Sequence, residues 1–120
     1  METFTPEAPE VEDRRRAPRH DLHVTAIVRV PGQATLHARM TDLSLHGLGL
    51  NTRRELPPAT HCEVELALSI DRQIRPLKLQ AAAVRSADAA DAGVHHVGLR
   101  LVDTPPELLE LLERYLGLVR

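Results

Sequence analysis

Residues 62–83 read CEVELALSIDRQIRPLKLQAAA. Cys62, Val64, Leu66, Leu68 and Ile70 take every second position, with Glu63 and Glu65 between them. A period of two marks a strand with one face buried and the other wet. Asp71-Arg72-Gln73 turns the chain, and Leu77, Leu79, Ala81 and Ala83 restore the alternation in a strand over residues 74–86. Two alternating runs around a short polar turn predict an antiparallel hairpin.

The same period continues on both sides. Upstream, Leu22, Val24, Ala26, Val28 and Val30 alternate with His23, Thr25 and Arg29, and Pro31-Gly32 ends the strand. A second strand is expected over about Thr35–Asp42, with Leu36, Ala38 and Met40 inward. Gly47 and Gly49 punctuate a turn and a short strand through Leu50, and Pro57-Pro58 marks a loop. Downstream, the small and acidic residues from Ser86 to Gly93 read as a loop, and Val97, Leu99 and Leu101 as a last strand. The period then changes. Leu108, Leu109, Leu111, Leu112, Tyr115 and Leu116 form a helical stripe, predicting a helix over about 104–117. Thr104-Pro105-Pro106-Glu107 has the pattern of a capping box with proline at the first helical position, and Gly117 is a C-terminal stop. The expected fold is all-β in the main: a small six-stranded antiparallel β-barrel with one C-terminal amphipathic α-helix over a mouth or face. Closure removes the exposed edges that so many strands would otherwise carry.

Composition sets the class. At 120 residues, 42% apolar and 27% charged, the chain reads as one soluble globular domain over residues 14–120, preceded by a tail. No apolar run approaches the roughly 18 residues that span a bilayer, so membrane insertion is not expected. Residues 1–13 hold Glu2, Glu7, Glu10, Glu12 and Asp13 and no base, which is the wrong start for a secretory signal and reads as a disordered acidic tail. The lone Cys62 excludes a disulfide framework and points to a reducing, cytoplasmic setting. Fourteen of the fifteen bases are arginine, and Arg14, Arg15, Arg16 and Arg19 cluster directly after the tail. Pro18 disfavours a helix there, so residues 14–21 are expected to form an extended arm.

Two short motifs carry chemistry. Arg15-Arg16-Ala17-Pro18-Arg19 is an R-x-x-x-R pattern before the first strand. Asp42-Leu43-Ser44-Leu45-His46-Gly47 is a D-x-S-x-x-G pattern between the second and third strands. Alone, the first is a common arginine pair and the second an ordinary turn. Their order and spacing, followed by three strands and a helix, resemble the PilZ domain family of bacterial cyclic di-GMP receptors. The resemblance runs from about Arg14 to Leu118. Val97-Gly98-Leu99-Arg100-Leu101 is similar to the family's "vGlrF" strand, with Leu101 where an aromatic is usual.

The resemblance implies that Arg15 and Arg19 bind guanine and phosphate, while Asp42, Ser44 and Gly47 line a pocket for one guanine. The chemistry suits those roles. Arginine reads the O6 and N7 acceptors of guanine bidentately and pairs with phosphate oxygens. A carboxylate accepts from the guanine N–H donors, and a serine hydroxyl donates or accepts. Glycine permits a positive φ or a close backbone approach, and strand alternation would put Asp42 and Ser44 on one side. The resemblance also implies that the residue just before the first motif, here Arg14, influences whether one ligand or an intercalated pair is held, and its guanidinium suits the pair.

The remaining polar groups invite other readings. Asp42, Ser44 and His46 include triad residue types, but a spacing of two along a strand or turn lacks the geometry of a relay, so no enzymatic activity is expected. His95 and His96, as strand neighbours, face opposite ways and would not share a metal. Cys62 falls on an apolar face as a core thiol. The expectation is therefore a cyclic di-GMP receptor module without cofactor or metal, whose surface changes on binding to regulate an unidentified protein partner. The alternative is an adaptor of the same fold that binds no nucleotide. The near-neutral charge and lack of strand aromatics disfavour a nucleic-acid-binding barrel.

Overall fold

A computed structural model describes residues 20–88 and 93–117 of the chain. The acidic tail and Arg14, Arg15 and Arg19 lie outside the described residues, as does part of the loop expected before Gly93. Six strands and one helix follow in order: β1 (His20–Arg29), β2 (Leu36–Leu43), β3 (Gly47–Thr52), β4 (His61–Ile70), β5 (Gln73–Asp88), β6 (His95–Leu101) and α1 (Pro106–Tyr115). All neighbours pair antiparallel, in the cyclic order β1-β2-β3-β6-β5-β4. The expected closed barrel is the observed one. Its seam is the short β1–β4 ladder, Ile27–Arg29 against Glu65–Glu63. Arg29 straps the seam from outside, 2.5 Å from Glu65 and 3.6 Å from Glu63.

Alternation fills the interior. Ala26 and Val28 of β1, Val64, Leu66 and Leu68 of β4, Leu77 and Leu79 of β5, and Val97 and Leu99 of β6 are buried in one cluster. Met40, Leu50 and Leu112 have no exposed surface. Cys62 is buried as expected, and burial pushes its thiol up to about 11.

Several boundaries differ from the sequence reading. β1 begins at His20, so the last two residues assigned to the arm belong to the barrel. Ala87 and Asp88, expected in a loop, continue β5 opposite His96 and His95. The helix is shorter than expected and its capping box does not form. Pro105 is the N-cap, no side chain caps it, and Pro106 opens the helix. Thr104 lies one residue too early, and a Pro105 cap leaves Glu107 only a favourable charge in the first turn. Gly117 does stop the helix, with φ of 76° and its N–H donating to Arg114 O. The helix packs on β4 and seats Leu112 in the core, a burial worth about 2–3 kcal/mol.

Candidate functional site

The decisive local event is a bulge at Thr41. Ala38 and Met40 of β2 point inward, and strict alternation would send Asp42 after them. Instead the register slips. Met40 pairs with Leu50 but Asp42 pairs with Gly49, leaving Thr41 as an extra residue on β2. Parity inverts, Leu43 becomes the buried residue, and Asp42 emerges half-buried on the outer wall. A bulge re-aims side chains in this way. The alternative, an ionised carboxylate in an apolar core, costs several kcal/mol.

The Asp42 carboxylate lies over Gly49. A Cβ on Gly49 would sit 2.9 Å from Oδ2 and 3.2 Å from Oδ1 of Asp42, and 3.1 Å from Thr41 Oγ1. Thr41 Oγ1 is itself buried with no hydrogen-bond partner among the described residues. Gly49 therefore makes room for the acid, a role the sequence reading missed. The available signal was a glycine inside a strand, which marks a bulge or a close approach.

Ser44 lies past the end of β2, so turn geometry rather than strand alternation places it. Its N–H donates to Gly47 O at 2.8 Å, closing a two-residue loop of Leu45 and His46. Its Oγ accepts from the N–H groups of His46 and Gly47 at 3.2 and 3.3 Å, and donates to Gly47 O at 3.3 Å. Leu45 packs partly against the core, while His46 is exposed and its carbonyl accepts from Leu101 N–H.

Gly47 does not use the positive φ its type allows, since only Gly32, Gly93 and Gly117 among the described glycines do. Its constraint is a neighbouring strand. A Cβ there would fall 2.2 Å from Leu99 O, inside the β3–β6 ladder. His95 and His96 diverge as expected: His96 is exposed and its Nδ1 lies 2.8 Å from Asn51 Oδ1, while His95 is half-buried.

The described part of β1 begins beside this hairpin. His20, the residue after Arg19, pairs with Leu43, and Asp21 pairs with Asp42. The chain thus enters the barrel beside Asp42, Ser44 and Gly47. The structure brings those three residues together at one strand end and turn.

Among the described residues no helix is long and apolar enough to cross a membrane. No curated protein matches the chain. Solved structures do. The inhibitor of motility (MotI/DgrA) of Bacillus subtilis superposes with a TM-score of 0.73 at 12% identity, over 87% of this chain and 49% of its own, so this chain spans about half its length. The PilZ domain of YcgR from Escherichia coli, solved with c-di-GMP, gives 0.69 at 18% identity over 87% and 89%. The PilZ domain of CeSA from a cellulose synthesizing bacterium gives 0.59 at 17% over 84% and 97%. At these identities the likenesses establish the fold. The model of the PilZ domain family matches residues 13–118, which takes in both arginine and aspartate motifs and all six strands with the helix. On that match over nearly its whole length, the chain belongs to the PilZ domain family.

Proposed function

We propose that the chain is a bacterial, cytoplasmic cyclic di-GMP receptor that regulates a partner protein and performs no catalysis itself. The observation that carries this reading is the β1–β2 register, His20 opposite Leu43 and Asp21 opposite Asp42. It starts β1, one residue after Arg19 in the sequence, beside the hairpin that holds Asp42, Ser44 and Gly47. The YcgR domain of the same fold was solved with c-di-GMP, which supports the ligand class. Arg15 and Arg19 supply the cations for phosphate and guanine, Asp42 accepts from guanine N–H groups, and Ser44 with Gly47 shapes the turn beneath. Ligand held between the arginines and the barrel alters the surface available to a partner. Arg14 adds the charge needed for an intercalated pair, whose phosphates bring about four negative charges together.

Calorimetric titration with cyclic di-GMP, GTP and single-stranded RNA tests the reading. Saturable binding of cyclic di-GMP alone is expected, with a molar ratio near two that falls towards one in Arg14→Leu. Arg15→Ala and Arg19→Ala should each weaken binding at least tenfold, since a charge-assisted hydrogen bond contributes about 1.5–3 kcal/mol. Wild-type affinity in both variants refutes the site, and absence of cyclic di-GMP binding leaves the adaptor.

A further inference from the structure

The chain separates its charges. Residues 1–13 hold five acids and no base, and lie outside the described residues. By contrast, β2, β3 and β6 together contain a single acid, Asp42. β5 adds Asp88 at its far end, opposite His95. The bases on this side of the barrel face outward. Arg39 of β2, with His96 and Arg100 of β6, is exposed in alternation with buried Met40, Val97 and Leu99. Arg85 joins them because the β5–β6 register slips between Ala83 and Arg85, which sets Arg85, exposed, opposite Gly98.

These bases are close together. Arg85 pairs across strands with Gly98, and His96 and Arg100 stand two positions to either side of Gly98, about 7 Å along the strand. Arg39 shares a row with Asn51 and His96, about 10 Å from His96. On the β4 side, Arg29 reaches Glu63 and Glu65, and Arg114 reaches Asp71 and Glu110. Arg39, Arg85 and Arg100 have no ion pair or hydrogen bond among the described residues.

Acids able to neutralise them are within reach. β1 starts with His20 opposite Leu43, beside Asp42 and at the margin of this wall. Asp13, Glu12, Glu10 and Glu7 precede His20 by seven to thirteen positions. At about 3.3 Å per extended residue, seven residues reach roughly 23 Å. Crossing the three strand spacings from β2 to β5 takes only roughly 14 Å.

We propose that the acidic segment, residues 1–13, docks on this arginine wall when no ligand is bound and competes with an anionic ligand. The inference rests on the reading of the chain as a cyclic di-GMP receptor. A ligand carrying two phosphates has to displace the carboxylates, so its apparent affinity falls with the docked fraction. Each exposed ion pair is weak and screened by salt. The segment is therefore a salt-sensitive brake on binding.

Two measurements on the full chain test this. A spin label is placed on Ala8→Cys, since Cys62 is buried and its thiol stays protonated. At low salt the label should broaden the amide signals of Gly98 and Arg100 more than those of Ser69 and Ile74 on the β4–β5 hairpin. The difference should vanish at high salt and in an Arg39→Gln/Arg85→Gln/Arg100→Gln variant. Combining Glu7→Gln, Glu10→Gln, Glu12→Gln and Asp13→Asn should tighten cyclic di-GMP binding about three- to tenfold at low salt, and leave it unchanged at high salt. No selective broadening, or broadening that survives the triple substitution, overturns the docking. Equal affinity with and without the four acids at low salt overturns the competition and leaves the receptor reading intact. Broadening in a chain that binds no cyclic di-GMP overturns the receptor reading and the competition, and keeps the docking.

Discussion

The β4–β5 and β2–β3 hairpins share a two-residue loop and almost nothing else. The β4–β5 ladder runs unbroken from His61 opposite Ala82 to Ile70 opposite Gln73. Its turn, Asp71-Arg72, has φ of 53° and 67°, the signs of a type I′ turn that matches strand twist. Its outer face carries ordinary cross-strand pairs, such as Gln80 with Glu63. The β2–β3 hairpin is bulged at Thr41. Its loop, Leu45-His46, has no positive φ, and the Ser44 hydroxyl secures it instead. Regular pairing builds a wall. The irregular hairpin gives up ladder regularity and aims a carboxylate outward.

The largest expected effect comes from removing that irregularity. Inserting an alanine between Gly49 and Leu50 would give Thr41 a partner and remove the bulge, so strict alternation would drive Asp42 into the core and turn Leu43 and Leu48 out of it. That costs several kcal/mol, a large part of a small domain's stability. Circular dichroism should show loss of the cooperative melt, and a wild-type melt would show that the bulge is not what orients Asp42. Gly47→Ala comes next. Its Cβ must displace Leu99 O, so a loss of about 3 kcal/mol is expected in urea unfolding. Stability within about 0.5 kcal/mol of wild type would refute the close approach of β3 and β6.

Ser44→Ala should cost about 1 kcal/mol, because two N–H groups lose their shared acceptor. An unchanged denaturation midpoint would show that water replaces the hydroxyl at no cost. In the regular hairpin the sign reverses. Arg72→Gly should stabilise by about 0.5 kcal/mol, as relief of a left-handed non-glycine residue outweighs added unfolded-state freedom. A fall in melting temperature would contradict the type I′ assignment.

The smallest effect is pH-dependent. The hydrogen bond from Arg29 holds the Glu65 carboxyl below its ordinary 4.5. A lowered folded-state value means a contribution present above 4.5 and lost as pH falls through the folded value. Coupling between Arg29→Met and Glu65→Gln in a double-mutant cycle should be small at pH 7 and absent at pH 2. Persistence at low pH would remove the ion pair from the seam.

Much of this was legible in the residues. The five alternating apolar positions from Cys62 to Ile70 gave β4 within one residue of its start, since a half-buried strand leaves a period-two trace. The helix was legible from its leucine stripe, but the capping box was not real, because two prolines occupy the positions where Thr104 needed helical neighbours. The β5 extension through Asp88 was hidden because Ala87 and Asp88 resemble loop residues and only pairing with His95 and His96 makes them strand. Asp42, Ser44 and Gly47 were legible as a motif. Gly49 was not, since its importance depends on a carboxylate seven residues away.

The sequence by itself determined where strands and helix fall, which face of each strand is apolar, and which two motifs carry charge and polar groups. Those properties follow from near neighbours, through periods of two and 3.6 and through turn chemistry. Only the tertiary structure decided which way Asp42 points. A bulge is a mismatch between two strands, and the partner's spacing sets it. Likewise the pairing of Asp42 with Gly49, and of Gly49 with Gly98, draws on three strands adjacent in space, β2, β3 and β6. Barrel closure aligns them by backbone hydrogen bonds, and no local pattern in the chain encodes that alignment.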